Sequence, residues 1–481
     1  MVFLPPTTST TSAVDVGLKR SHVDYYRHLS SEARSRLPNP IKSIWKAAQV
    51  KTGTINMGNG DPHHTLYPIC EMNFVVPSIE EHDPVQSWRS GTGEQNIIAS
   101  YKDDPCTLSL RTAFAYGAGA GLKEVRDALA DLNDRIHSPP NHTVSLSLGN
   151  ADALTKCFRL LGDPGDSFLC EEFTFSAMTN AALPLGIKWV PIRMDNNGLV
   201  PSDLERILSN WDEATQGKRP HVLYTIPCSQ NPTGSTLSLE RRQQIYQIAH
   251  DWDIIILEDD PYFFLQVRCN SMGTTRAIAE VLPRSFLSMD YDGRVMRLDS
   301  FSKIVAPGMR LGWVTSNSFF AEKLDMLTDS SSQHPHGMGQ AFISELLGSS
   351  GWGVDGFMKW ILSLCNEYQR RRDLFMDVFR QKVAISGFAT AEGTTIWDTP
   401  TVPGGPTTNT ADLMDELFRK LLNSGLVMMP ASTFAIVDRT GTTGSHINDR
   451  VNFFRATFVG TDVTIRDGLT IFGRTLEEFF F

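Results

Sequence analysis

Residue types that bind phosphate or take part in amine chemistry crowd into one stretch of this chain. Ser300-Phe301-Ser302-Lys303 runs on through Ile304-Val305-Ala306-Pro307-Gly308-Met309-Arg310-Leu311-Gly312-Trp313. Two hydroxyls and a guanidinium fork suit a phosphate, and Lys303 can form a Schiff base with a carbonyl compound. Taken alone, the stretch also reads as a surface lysine in a turn beside ordinary serines. A second stretch, Glu258-Asp259-Asp260-Pro261-Tyr262, ends the apolar run Asp253-Ile254-Ile255-Ile256-Leu257 in an acidic cluster and a proline turn. A carboxylate there, followed three residues on by a phenol, suits an aromatic cofactor that needs an anionic partner; its bland alternative is a solvated acidic turn. The third is Asn231-Pro232-Thr233-Gly234, which also reads as a turn before a helix starting near Leu237. What joins the three is their order: each follows an apolar run, at the carboxyl end of successive strand candidates, where open α/β sheets place their ligands.

The elements that must position them alternate. Strand candidates lie at 144–148, 167–171, 188–192, 221–226, 254–257, 295–299 and 311–315. Helical periodicity falls at 122–136, 153–161, 175–183, 237–252 and 274–281. Such alternation predicts an α/β domain with a largely parallel sheet. Helical periodicity also covers 23–35, and after Ser349 a long helix over 352–383 precedes mixed elements, broken by a Pro/Gly/Thr loop at 399–410. The expected organisation is a loose arm over 1–20, then 21–85 as an N-terminal arm and part of a small domain. A large domain would cover 86–350, with the rest of the small one at 351–481.

The 481 residues carry 44 Lys and Arg against 54 Asp and Glu, a formal net charge of −10. That balance argues against nucleic-acid binding, which needs a clustered basic surface. No apolar run is long enough to span a bilayer. The N-terminus has neither the pattern of a signal peptide nor the Arg-rich pattern of a mitochondrial presequence. Seven dispersed cysteines without a CxxC pair read as reduced thiols. A cytoplasmic enzyme is expected. The glycine run at 117–121 lacks a clear strand before it and reads as a turn rather than a dinucleotide site. His63-His64 and His334-Pro335-His336 lack partners at ligand spacing, so no metal is expected. The terminal Phe479-Phe480-Phe481 reads as packing.

NPTG (231–234), EDDPY (258–262) and SFSKIVAPGMRLGW (300–313) together resemble the fold-type I pyridoxal-phosphate (PLP) aminotransferases. Within them the chain is most similar to the kynurenine/α-aminoadipate aminotransferase group, which includes the fungal aromatic aminotransferases. The resemblance spans about 41–458. The subgroup is carried by EDDPYFFLQ (258–266), SLRTAFAYGAGAGLKEVR (109–126), EEFTFS (171–176) and FFRATF (453–458). It implies a large PLP-binding domain with a mostly parallel seven-stranded sheet between helices, plus a smaller α+β domain from the two chain ends.

The resemblance also implies roles. Lys303 would hold PLP as a Schiff base and act as general base, and Asp259 would face the pyridine nitrogen. Tyr262 and Asn231 would bond the ring's phenolate oxygen. Ser300, Ser302, Arg310 and the backbone amides of Asn150 and Ala151 would bind phosphate, the amides opening a helix. Phe175 would stack on the ring, Tyr116 would reach the phosphate of a neighbouring subunit in a homodimer, and Arg455 would clamp the substrate's α-carboxylate. Two departures stand out. Gly149-Asn150-Ala151-Asp152-Ala153 lacks the hydroxyl usual after the glycine, and Phe175 replaces a tyrosine. The implied reaction moves an amino group from an L-amino acid to a 2-oxo acid such as 2-oxoglutarate in ping-pong fashion. Apolar and aromatic residues near 55–68 and 431–438 (Leu66, Tyr67, Phe434) point to aromatic donors. α-Aminoadipate or broad specificity, and a PLP lyase or decarboxylase on the same fold, stay open. A PLP-binding regulator is disfavoured, because the roughly 40 residues before the resemblance carry no basic helix-turn-helix.

Overall fold

All seven apolar runs become strands of a single sheet in the computed structural model of the chain. The structure describes residues 23–266, 282–387, 389, 410–438 and 447–480, except positions 50, 51, 54, 56 and 59. The expected helix at 274–281, most of the 399–410 loop, the arm at 1–20 and Phe481 lie outside the described residues.

A hairpin of β1 (Glu71–Pro77) and β2 (Gln95–Tyr101) comes first in the chain. The main sheet is built from β3 (His142–Ser147), β4 (Ser167–Glu171) and β5 (Lys188–Ile192). Two-residue strands β6 (Met194–Asp195) and β7 (Gly198–Leu199) intervene before the main sheet resumes. It continues with β8 (Val222–Thr225), β9 (Ile255–Asp259), β10 (Val295–Ser300) and β11 (Gly312–Asn317). Its order is β3-β11-β10-β9-β8-β4-β5. Only β11 runs against its neighbours, β10 and β3, and the other pairings are parallel. A strand buried on both faces needs continuous apolar character rather than alternation. Val222, Leu223 and Tyr224, and Ile255, Ile256 and Leu257, meet that need and are fully buried.

Helices cover both faces. On one, Leu154, Cys157 and Phe158 of the helix Asn150–Leu161 pack with Phe168, Tyr224 and Leu257. Leu29 and Ala33 join that cluster, so residues 25–35 lie on the flank of the large sheet. On the other, Phe301, Trp313, Ile343 and Phe357 pack together. Each fully buried large apolar side chain contributes about 1.5–3 kcal/mol. The 30-residue helix Gly353–Lys382 leads out of this core into a separate cluster. There Val378, Phe379 and Val383 pack with Leu417, Leu421, Ile465 and Leu469. Beside it, β12 (Met429–Pro430) and β13 (Phe454–Arg455) pair antiparallel. That unit meets the sheet where Phe173 bridges Ala435 and where Arg450 Nη2 lies 3.2 Å from the buried Glu172 Oε1. No helix among the described residues is long and apolar enough to cross a membrane.

Candidate active site

Because β3, β4, β8, β9 and β10 point the same way, the segments that follow them emerge at one edge of the sheet. After β3 the chain turns at Gly149, whose φ is +91°, and enters the helix at Asn150. A Cβ at Gly149 would stand 2.6 Å from Arg310 Nη2, so only glycine lets the guanidinium lie against this helix entrance. Arg310 Nη2 donates to Leu148 O at 2.7 Å and Nη1 to Pro307 O at 3.0 Å. Arg310 itself adopts the left-handed conformation at the end of a short 3₁₀ turn.

Ser300 ends β10, and its hydroxyl donates to Ser302 Oγ at 2.9 Å while accepting from the Ser302 amide at 3.1 Å. Lys303 follows on the turn Phe301–Lys303. Its neighbours Phe301 and Ile304 are buried and pin the turn, whereas Lys303 is exposed. His336 Nε2 bonds Met309 O at 2.7 Å. One histidine of the 334–336 motif therefore braces the next turn, Pro307–Met309, which leads into Arg310, a role that spacing alone did not reveal.

The acidic pair at the end of β9 divides. Asp260 Oδ2 lies 3.1 Å from Arg297 Nη1, within a fully buried group where Arg297 also meets Glu258 at 3.1 Å and Asp299 at 2.8 Å. Asp259 pairs with no guanidinium among the described residues. Its Oδ1 accepts from Asn150 Nδ2 at 2.7 Å and its Oδ2 from Tyr224 OH at 3.0 Å. Burial pushes the Asp259 carboxyl up to about 6, against the pull of those two hydrogen bonds. Burial also pushes the Tyr262 phenol up, with Asp259 adding to the shift and Arg455 opposing it. Tyr262 and Phe175 are both half-buried and pack against the same core cluster.

The NPTG turn is held from within. Gly234 N donates to Gln230 O at 2.6 Å, and Gln230 Nε2 donates to Phe173 O at 2.6 Å. The following helix starts at Leu239, capped by Ser238, two residues later than its periodicity predicts. Asn231 Oδ1 accepts from Arg455 Nη1 at 2.9 Å. Arg455 reaches it from β13, its guanidinium carbon 4.9 Å above the Phe434 ring. Arg455 Nε is buried and has no hydrogen-bond partner among the described residues. A buried orphan N–H is costly unless a ligand supplies the acceptor.

The fold thus joins Asn150 with Asp259, Asn231 with Arg455, Ser300 with Ser302, and Arg310 with the helix entrance before Ala151. Tyr116 stands apart. It is 62% exposed, and its ring contact among the described residues is an edge with His334 at 6.4 Å. The glycine run beside it is a turn: Gly121 has φ +88°, and Ala120 O accepts from Leu146 N at 2.9 Å. Sequence reasoning missed Tyr224, which looked like one more apolar strand residue, and the side-chain contact of Asn150.

The family profile described as aminotransferase class I and II matches residues 81–471. The chain belongs to that family. The aminotransferase is 67% identical to the L-tyrosine:2-oxoglutarate aminotransferase amt1 of Serpula lacrymans, over 95% of this chain and 96% of that one. It is 65% identical to the L-tyrosine:2-oxoglutarate aminotransferase atrD of Tapinella panuoides, with the same coverage of both chains. Its fold matches the crystal structure of aminotransferase Aro8 from Candida albicans with a TM-score of 0.81 and 30% identity, covering 95% of this chain and 99% of that one. The family implies PLP, and the aminotransferase offers a donor set that fits it. A guanidinium, two hydroxyls and a helix entrance without a Cβ suit the phosphate, a buried carboxylate suits the ring nitrogen, and an exposed amine suits the aldehyde.

Proposed function

We propose that the enzyme transfers the α-amino group of an aromatic L-amino acid, tyrosine first, to 2-oxoglutarate, with PLP carried on Lys303. The observation that carries the cofactor is the turn from Ser300 to Arg310 set beside the buried carboxylate of Asp259. The donor is inferred from the relatives named for tyrosine and from Phe434 beneath Arg455. When bound, PLP supplies an aldehyde that condenses with amines and a ring that accepts the electrons left when the α-proton departs.

The chain's own residues do the rest. Ser300, Ser302, Arg310 and the amides of Asn150 and Ala151 would hold the phosphate, and Phe175 would stack on the ring. Asp259 would serve as the anionic partner of the ring nitrogen, and Tyr262 and Asn231 would bond the ring oxygen. Lys303 would carry the cofactor through Nζ and, as a free amine, would be the base that holds the substrate's α-proton. Arg455 grips the α-carboxylate with the N–H groups that Asn231 leaves over. We place the enzyme in the cytoplasm, in keeping with cysteines that form no disulfide among the described residues.

Borohydride reduction of the yellow protein should fix the cofactor to Lys303. With tyrosine and 2-oxoglutarate, 4-hydroxyphenylpyruvate and glutamate should form one for one, faster than with α-aminoadipate. Carbon dioxide or ammonia as product would instead indicate a decarboxylase or lyase.

We also propose a homodimer with shared sites. Support comes from the exposed Tyr116 and from Ile41 and Ile44 on the outer face of the helix Pro40–Gln49. Mixing inactive Tyr116→Ala and Lys303→Ala proteins should restore part of the activity, because one site of each heterodimer is then intact. A Lys303→Ala and Arg455→Ala mixture should restore none. Rescue in the second mixture would assign Arg455 to the wrong chain.

A further inference from the structure

Asp259 is 4% exposed, so its charge depends on what the protein supplies. Each carboxylate oxygen meets one donor, and the two donors come from different elements. Asn150 stands at the first position of a helix, and Tyr224 stands within β8. The amide orientation of Asn150 is set by its second contact, since Nδ2 also donates to Leu298 O at 3.2 Å. Turned over, the amide would press its oxygen against two acceptors. Tyr224 is fully buried among Phe158 and Trp189, and its hydroxyl donates to Asp259 Oδ2. Both groups act as donors here, and donors favour a carboxylate over its acid.

Among the charged groups around Asp259, Asp260 works against its charge and Arg297 favours it. Asp260, next in the chain, is committed to Arg297 of β10, and Arg297 is shared with Glu258 and Asp299. Glu171 of β4 accepts from Thr225 Oγ1 at 2.5 Å and from the Ile226 amide at 3.0 Å. Any charge on Glu171 works against one on Asp259, and on the site side the Tyr262 phenol feels both Asp259 and Arg455.

We infer that Asn150 and Tyr224 are positioning residues that hold Asp259 as an oriented anion, so that a proton shared with the cofactor's ring nitrogen rests on nitrogen. This rests on the PLP reading above. It gives the Asn150 side chain a task in place of the missing hydroxyl ligand: it serves the ring end of the cofactor rather than the phosphate.

The test loads the wild type, Tyr224→Phe, Asn150→Ala and Asp259→Asn with PLP carrying ¹⁵N in the ring. The ring-nitrogen chemical shift is then read near neutral pH. Wild type should show the protonated position and Asp259→Asn the unprotonated one. Tyr224→Phe and Asn150→Ala should each fall between, with kcat about tenfold lower and KM within about twofold, as expected for losing one hydrogen bond to a charged group. A purely structural role would leave the nitrogen signal in place, so wild-type shifts in both variants would overturn the inference. Should either variant not fold, the other and Asn150→Ser carry the test. A wild type that takes up no PLP would overturn the cofactor reading itself, and this inference with it.

Discussion

Lys303→Ala is expected to lower turnover by about four orders of magnitude while leaving the melting temperature of the cofactor-free protein unchanged. The amine is exposed and makes no hydrogen bond or ion pair with a described residue, so its loss opens no cavity and strands no partner. What anchors the turn is Phe301, whose ring lies 5.0 Å from Trp313 and 6.2 Å from Phe357, and those contacts remain. On the proposed function the rate falls because one nitrogen would perform two tasks, holding the cofactor and moving the α-proton. Stopped-flow absorbance on the PLP-loaded protein and a thermal melt of the cofactor-free protein decide the matter. A variant within tenfold of the wild-type rate would rule out Lys303 as the base.

Arg455→Ala should lower kcat/KM for tyrosine by about 2–5 kcal/mol, roughly 30- to 5,000-fold, as expected when one partner of a buried charge pair is removed. The contacts of Arg455 make the prediction specific. One Nη is taken by Asn231, the guanidinium rests on Phe434, and Nε faces a buried place with no described acceptor. Arg455→Lys keeps the charge but loses the planar fork, so it should recover only part of the rate. Tyramine, which has the ring and the amine but no carboxylate, should react with the PLP-loaded wild type and with Arg455→Ala at similar rates. A large loss with tyramine would mean that Arg455 holds the site together rather than the carboxylate.

The main sheet was legible because its strands are buried on both faces and read as unbroken apolar runs bounded by turns. The hairpin of β1 and β2 was not. Phe74-Val75-Val76 and Ile97-Ile98 are short apolar runs on a ribbon largely open to solvent, Glu71, Asn73, Gln95 and Asn96 dilute them, and Pro77 reads as punctuation. The helices Ser318–Asp329 and Gly337–Leu347 were also passed over, the second because buried Gly339, Gln340, Ser344 and Glu345 blur its apolar face. At the site, motifs announced residue types but not partners. Asp259 and Asp260 are equivalent in sequence, and only the third dimension gives Arg297 to one and Asn150 with Tyr224 to the other. The distance from Asn231 to Arg455 along the chain hid their contact in the same way.

The antiparallel strand β11 has a further consequence. Ser300 pairs with Gly312 across the ladder, and Phe301 N donates to Leu311 O at 3.2 Å. The excursion between them is thus closed at its base, and it carries both Lys303 and Arg310. Their spacing acts as a gauge block whose length is fixed by the hydrogen-bond register beneath it. Adding or removing one residue there would slide one end of the gauge against the other, and a one-step slip of β11 would turn Trp313 out of the core. Engineering of this enzyme should therefore tolerate altered side chains in the loop far better than altered loop length. Natural variation in this segment should run to substitutions and almost never to insertions.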